Sequence, residues 1–468
     1  MTDFLKSNAR LYPGQPAIVT DEQTVSWQEL ETASDSIAAF VSAKLGNKSQ
    51  KIVALLFPNS CEYVASYLGV LQAGHIAMPL DVIYKPLEIE AILKQIPPDL
   101  VIADQTSIHR LPPGALLFND LLGSPGSSTT KPLKLPADKQ IASLVFTSGT
   151  TGRPKAVLYT HANHIWNIKV CSEVWNWTHE DSLLVSLRLS HWYGLVMGLS
   201  GVLYHGNTMY LQERFEPETT LKALAAGQGT IFTHVAGIYT KLLDVKDYKN
   251  YDLSKVRLLI SGGAPLPPAA WEQFKNRFNQ EILEVYGSSE TGRIASNLLE
   301  QRIPGSPGQA LPGVDVKFSG NGELLVKSDG IFPGYYKNSR LTRAGFTKDG
   351  YWRTGDIGEM RGGRIILKGR KQEHIRRQGY TVSPRDIEWA LHTLPEVSDA
   401  FVMGIQHPRE PDDELVYFLV TSLSEQAIMD FCKQSMPSVW RPQKIVMLES
   451  IPRTINGKPE LPKLKSMS

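Results

Sequence analysis

Cysteine is scarce in this chain: Cys61, Cys171 and Cys432 are the only three in 468 residues, and they stand far apart. An odd, scattered set excludes a disulfide framework and a zinc site built from cysteine pairs, and it fits a reducing compartment. Dense charge of one sign is missing too. Lys and Arg number 49 against 47 Asp and Glu, a formal net charge of +2, so there is no electrostatic case for nucleic acid as a partner. Long hydrophobic runs are also absent. Stretches such as Leu195 to Leu203 fall far short of the roughly 20 residues that span a bilayer, and Met1-Thr-Asp-Phe-Leu-Lys-Ser-Asn lacks the apolar centre of a signal peptide. A cytoplasmic protein with no transmembrane segment is the expectation.

What is present centres on Phe146 to Lys155, reading Phe-Thr-Ser-Gly-Thr-Thr-Gly-Arg-Pro-Lys. Thr147, Ser148, Thr150 and Thr151 supply hydroxyl donors, Gly149 and Gly152 let backbone N–H groups approach an anion, and Lys155 adds positive charge. This is the composition of a phosphate-holding loop. The apolar run Ile141 to Phe146 ahead of it reads as a buried strand. The Gly-Lys-Ser/Thr ending of a Walker loop is missing, and Ala156 to Thr160 looks extended, so a P-loop kinase or GTPase is disfavoured.

Around that loop, helical and extended patterns alternate. Ser26-Trp-Gln-Glu29 forms a capping box for a helix to about Leu45. Lys51 to Phe57 reads as a buried strand, Ser60 to Ala73 as a helix and Leu100 to Ala103 as a short strand. Residues 111 to 138 read as a loop or linker. The alternation resumes with a helix over Ala162 to Trp175 and strands at Thr230–Thr233, Val256–Ile260 and Glu281–Val285. An α/β fold with doubly wound sheets follows. The Asn321-Gly322 pair before Glu323 to Lys327 signals a hairpin. Met360 to Leu367 signals another, which makes residues 303 to 368 β-rich. The expected division is 1–368 and 369–468, the latter a small mobile α+β module with a helix from Ser383-Pro384 to about Leu394.

Four further clusters carry chemistry or, taken singly, are simply turns: Ser261-Gly-Gly-Ala-Pro265, Tyr286-Gly-Ser-Ser-Glu-Thr-Gly292, Trp352-Arg-Thr-Gly-Asp356 and Pro452-Arg-Thr-Ile-Asn-Gly-Lys458. Together and in this order, with Gly322 to Ser328 and 369–388, they resemble the adenylate-forming superfamily of acyl-CoA synthetases, peptide-synthetase adenylation domains and firefly-type luciferases. The resemblance covers essentially the whole chain.

That resemblance implies roles. Thr147 to Gly152 and Lys155 would cradle the phosphates of ATP. Gly263 and Ala264 would line the adenine pocket, with Tyr286 against the base and Gly287, Ser288 and Ser289 beside it. Glu290 would hold Mg²⁺. Asp356 would accept from the ribose hydroxyls, with Arg370 alongside. Lys458, His191 and Thr291 are the catalytic candidates, Lys458 reaching the α-phosphate and the substrate carboxylate. The product would be an acyl-adenylate, passed to a thiol after the C-terminal module rotates about Gln372. Gly379 would then leave room for a pantetheine arm.

Departures from the family pattern bear on the substrate and the acceptor. Ser289 replaces a usual Thr, Gln372 a usual Asp or Lys, and Ala236-Gly237 a usual Val-Pro. Trp192 to Leu199 holds no acid to pair with an α-ammonium, which disfavours a free amino acid. An apolar pocket with His191 at its gate points to a fatty or aromatic acid, although His191 is also readable as a histidine satisfied within an aromatic cluster. Coenzyme A is the expected acceptor, with the phosphopantetheine arm of an acyl carrier protein as the alternative. Arg376, Arg377, Arg441 and Lys444 would serve either.

Overall fold

The computed structural model describes residues 1–46, 50–122, 140–147, 155–371, 373, 375–377, 380–406, 412–453 and 459–468. Ser148, Gly149, Thr150, Thr151, Gly152, Gln372, Gly379 and Lys458 lie outside these residues.

Period-two burial explains the layers. In the strand Ile52–Leu56, Val53 and Leu55 join one core while Ile52, Ala54 and Leu56 join another. A strand buried on both faces is a strand in the middle of a helix-covered parallel sheet. It pairs in parallel with Ile76–Leu80 on one side and Leu100–Ala103 on the other. The seven-stranded sheet runs, from one edge, Gly334–Tyr335, Lys155–Thr160, Ile141–Thr147, Ile76–Leu80, Ile52–Leu56, Leu100–Ala103 and Leu116–Leu117.

A nine-stranded sheet repeats the logic. Its centre is the parallel set Ser182–Val185, Ile231–Val235, Leu258–Gly262 and Ile282–Ser288. Leu258 and Ile260 point to the core shared with the first sheet, whereas Leu259 points to the opposite one, under helices Pro217–Ala226, Ala236–Leu243 and Pro268–Phe278. The doubly wound expectation therefore stands.

Helix Cys61–Gln72 sits inside the shared core, with buried residues on every side. Such an all-round apolar helix has no solvent face to present. It packs on the capping-box helix Trp27–Leu45, whose Ser26 hydroxyl accepts from Glu29 N while the Glu29 carboxylate accepts from Ser26 N. A Cβ at Gly69 would lie 2.6 Å from the Cβ of Ile37, so the close crossing of these two helices depends on the missing side chain.

Four antiparallel strands, Asp315–Phe318, Glu323–Lys327, Trp352–Arg361 and Arg364–Arg370, form a separate sheet. Not everything between 303 and 368 belongs to it. Gly334–Tyr335 joins the seven-stranded sheet and Gln309–Ala310 the nine-stranded one. Within 111–138, read as loop, Leu116–Leu117 forms an edge strand and Phe118–Leu122 a helix, with Phe118 and Leu121 buried in the main core. Towards the C-terminus, Val397–Gln406, Asp413–Thr421 and Lys444–Met447 make a three-stranded sheet. Helix Pro384–Leu391 is capped by Ser383, which accepts from Asp386 N at 3.2 Å, and helix Glu425–Ser435 follows the second strand. Cys61, Cys171 and Cys432 are free and buried. Among the described residues no helix is long and apolar enough to cross a membrane.

Candidate active site

Strands of both large sheets end on one cavity of about 1100 Å³, the position where open α/β sheets bind ligands. Thr147 and Lys155 reach it from the seven-stranded sheet. They are cross-strand partners in an antiparallel pair, and both stand at the cavity wall. From the nine-stranded sheet come Gly263, just after Leu258–Gly262, and Gly287, Ser288, Ser289 and Glu290 at the end of Ile282–Ser288. His191 and Arg370 line the cavity too. Nine of the sequence-expected positions thus share one space.

The turn after Ile282–Ser288 is tightly tied. Ser288 N donates to Thr291 Oγ1 at 3.0 Å, and Thr291 N donates to Ser288 Oγ at 3.2 Å. Thr291 is fully buried and does not line the cavity, so its hydroxyl shapes the turn from behind. A Cβ at Gly287 would fall 2.1 Å from the carbonyl oxygen of Gly292, which restricts this place in the strand to glycine. Ser289 O accepts from the buried Tyr159 hydroxyl at 2.6 Å, and Tyr159 stacks on Trp192 with centroids 3.8 Å apart.

Glu290 Oε1 accepts from the Tyr335 hydroxyl at 2.8 Å, and the ammonium of Lys155 lies 5.6 Å from the centroid of the same tyrosine ring. Among the described residues no group of three His, Cys, Asp or Glu side chains forms a ready-made metal cage. One protein carboxylate at a cavity wall is nonetheless the usual provision for Mg²⁺, which takes most of its oxygens from phosphates and water.

Asp356 and Tyr286 meet just behind the wall. The Tyr286 hydroxyl donates to Asp356 Oδ2, and Arg370 Nε pairs with Oδ1 at 3.2 Å. Burial, reinforced by the Asp356 charge, pushes the Tyr286 phenol well above its ordinary range, so it remains a donor at neutral pH. A carboxylate has about four acceptor sites, so the Asp356 oxygens keep capacity for hydroxyl donors. Ala264 is half-buried against the second core and, like Tyr286 and Asp356, is not part of the cavity wall itself.

His191 Nδ1 accepts from Tyr193 N at 3.2 Å, which leaves the proton of a neutral ring on Nε2. After Tyr193 the chain winds as a π-helix over Gly194–Ser200, a form concentrated at functional sites.

Sequence reasoning missed several wall residues. Tyr335 enters on a two-residue strand with no periodicity to betray it, though Gly334-Tyr335-Tyr336 follows a proline loop. Arg293 stands one position beyond the 286–292 motif. His234 lines the cavity as a neutral ring, because burial pushes its pKa down to about 3. The wall is therefore less apolar than the Trp192 to Leu199 stretch suggested.

Comparison with known proteins agrees with this geometry. Residues 5–336 match the AMP-binding enzyme family and residues 386–458 the AMP-binding enzyme C-terminal domain. A mitochondrial malonate–CoA ligase of Mus musculus is 29% identical, covering 91% of this chain and 83% of its own length. A 2-succinylbenzoate–CoA ligase of Listeria monocytogenes is 28% identical over 99% of both chains. Among solved structures, ATP-bound MatB from Rhodopseudomonas palustris superposes with a TM-score of 0.89 at 25% identity, covering 99% of this chain and 98% of its own. With both modules matched, relatives aligned nearly end to end and the same fold throughout, this chain belongs to the family of AMP-binding enzymes.

Proposed function

We propose that the protein is an ATP-dependent, AMP-forming acid–CoA ligase: it joins a carboxylic acid to AMP, releases pyrophosphate, and transfers the acyl group to coenzyme A. The observation that carries this reading is the meeting of Thr147, Lys155, His191, Gly263 and Ser288–Glu290 on one cavity. The relatives named as malonate–, 2-succinylbenzoate– and medium-chain fatty-acid–CoA ligases support it. They act on three different acids, so they support the reaction without choosing the substrate.

The chemistry explains the residue types. A carboxylate attacking the α-phosphorus brings two anions together, and charge grows on the phosphoryl oxygens and the departing pyrophosphate. Positive charge and N–H donors must be concentrated there with the reactants in line. In this reading Lys155 and the 147–152 loop hold the β- and γ-phosphates, and Lys458 meets the α-phosphate and the acid. Asp356 and Arg370 hold the ribose, while Tyr286, Gly263 and Ala264 surround the base. Glu290 would hold Mg²⁺, which supplies charge neutralisation at the phosphates when bound. No general base is needed, because the acid is already ionised near pH 7. Rotation about Gln372 then brings Gly379 to the carbonyl for thiol attack. Residues 1–368 and 369–468 are the proposed moving parts, with coenzyme A as acceptor in preference to a carrier protein.

The test is acid-dependent ATP–pyrophosphate exchange, followed by AMP release on adding coenzyme A. Exchange with at least one acid, and AMP as the nucleotide product, is the expected result. ADP formation, or exchange that ignores the acid supplied, overturns the reading.

A further inference from the structure

Arg293 lies on strand Gly292–Ser296, directly across the ladder from Gly287. It lines the same cavity, yet only 4% of the residue is exposed. Its guanidinium carbon sits 4.3 Å from the centroid of the Tyr193 ring, and the Tyr193 hydroxyl accepts from Thr233 Oγ1 at 2.8 Å. Arg293 Nε and Nη2 have no hydrogen-bond partner among the described residues. Of the carboxylates that line the cavity, Glu290 accepts from Tyr335, and Glu323 pairs with Arg353 and Lys371.

A guanidinium is always charged, and holding one buried without an anion is unfavourable. The edge carrying Nε and Nη2 is closed to solvent, each atom exposing less than 1 Å², so what Arg293 offers the cavity it lines is its fixed positive charge rather than a two-pronged hydrogen bond. Its place over the Tyr193 ring gives that charge an aromatic face to rest on. Gly287 lies in the strand that ends at Ser288, just before Ser289 and Glu290, so Arg293 neighbours the part of the cavity wall that those residues form.

We propose that Arg293 receives a second carboxylate of the substrate, so that the acid activated is a dicarboxylate: one carboxylate attacks ATP and the other rests on Arg293. This rests on the ligase reading above and narrows its substrate class. A fatty or simple aromatic monoacid would leave the guanidinium without its anion.

The experiment compares matched pairs, propanoate with malonate, butanoate with succinate and benzoate with phthalate, in pyrophosphate exchange by wild type, Arg293→Met and Arg293→Lys. For at least one pair the wild-type kcat/KM for the diacid exceeds that for the monoacid by roughly 100-fold or more. Arg293→Met brings that ratio to about one, and Arg293→Lys keeps part of it. A wild type that prefers every monoacid overturns the proposal. So does an Arg293→Met enzyme that loses both members of a pair equally, which would put Arg293 on the reacting carboxylate. Exchange with no acid at all would instead sink the ligase reading. The diacid's shift of the thermal midpoint in wild type and Arg293→Met then decides Arg293 independently: a shift lost in the variant supports the assignment, and no shift in wild type ends it.

Discussion

The Tyr335 hydroxyl donates to Glu290 Oε1 at 2.8 Å, joining a residue of the seven-stranded sheet to one at the end of a nine-stranded-sheet strand. The bond fixes which way the carboxylate faces. Hydrogen bonds to metal-ligating groups typically govern metal affinity by about 10- to 100-fold. Tyr335→Phe keeps the ring that Lys155 faces and removes only the hydroxyl. The Mg²⁺ concentration giving half-maximal pyrophosphate exchange is expected to rise by about tenfold or more. An unchanged Mg²⁺ titration would show that Glu290 is not the metal-facing carboxylate.

Asp356 stands between the Tyr286 hydroxyl and the Arg370 guanidinium. Hydrogen bonds to a charged group contribute roughly 1.5–3 kcal/mol each, so Asp356→Ala should raise the KM for ATP by about 10- to 100-fold. The KM for the acid should move little. Isothermal titration with ATP alone checks this without turnover, and a wild-type affinity would remove Asp356 from the ribose site.

Lys458→Ala should abolish adenylate formation, with exchange falling by at least about 100-fold, while ATP binding persists. Thiol transfer from chemically supplied acyl-adenylate should survive, since the proposed mechanism uses the lysine only in the first half-reaction. A variant that adenylates normally places the essential cation elsewhere.

Glu284 predicts a pH effect on stability. Its carboxyl is buried, accepts from Gly305 N at 2.7 Å, and is pushed by burial up to about 7, although these contacts and the Arg385 charge pull the other way. A folded-state pKa above the ordinary 4.5 means that the fold binds this proton more tightly than the open chain does. The stabilisation is complete below pH 4.5 and is lost as pH rises through about 7. Glu388, also pushed by burial up to about 7, acts in the same direction. Urea midpoints should therefore fall between pH 5 and 8, and Glu284→Gln should flatten part of that slope. Parallel curves for the two proteins would assign the effect to other groups.

Much of this was legible because local chemistry and burial agreed. The Ser26–Glu29 capping box, the Asn321-Gly322 hairpin and the Ser383-Pro384 helix start each depend on neighbours in sequence. The strand at Ile141 and the extended return at Lys155 were readable for the same reason. Other features depend on distant partners. Gly334–Tyr335 is a strand only because Leu158 and Val157 lie opposite, and two residues carry no period. Phe118 and Leu121 are anchored by a core assembled from far along the chain, so a Pro- and Gly-rich surrounding hid them. Arg293 was passed over because a charged residue in an apolar strand is unremarkable until its cavity and its missing partner are known.

The cavity's two walls belong to different sheets, and Tyr335–Glu290, Tyr159–Ser289 and the Tyr159–Trp192 stack bridge the seam. The spacing between the lining residues of the two walls, Lys155 and Tyr335 on one and Gly263 and Glu290 on the other, is therefore set by how two slabs rest on one buried layer. A methylene removed from the concealed helix Cys61–Gln72 would reach the reaction as a change in gap width. On warming, turnover should fade as the slabs loosen, before either one melts.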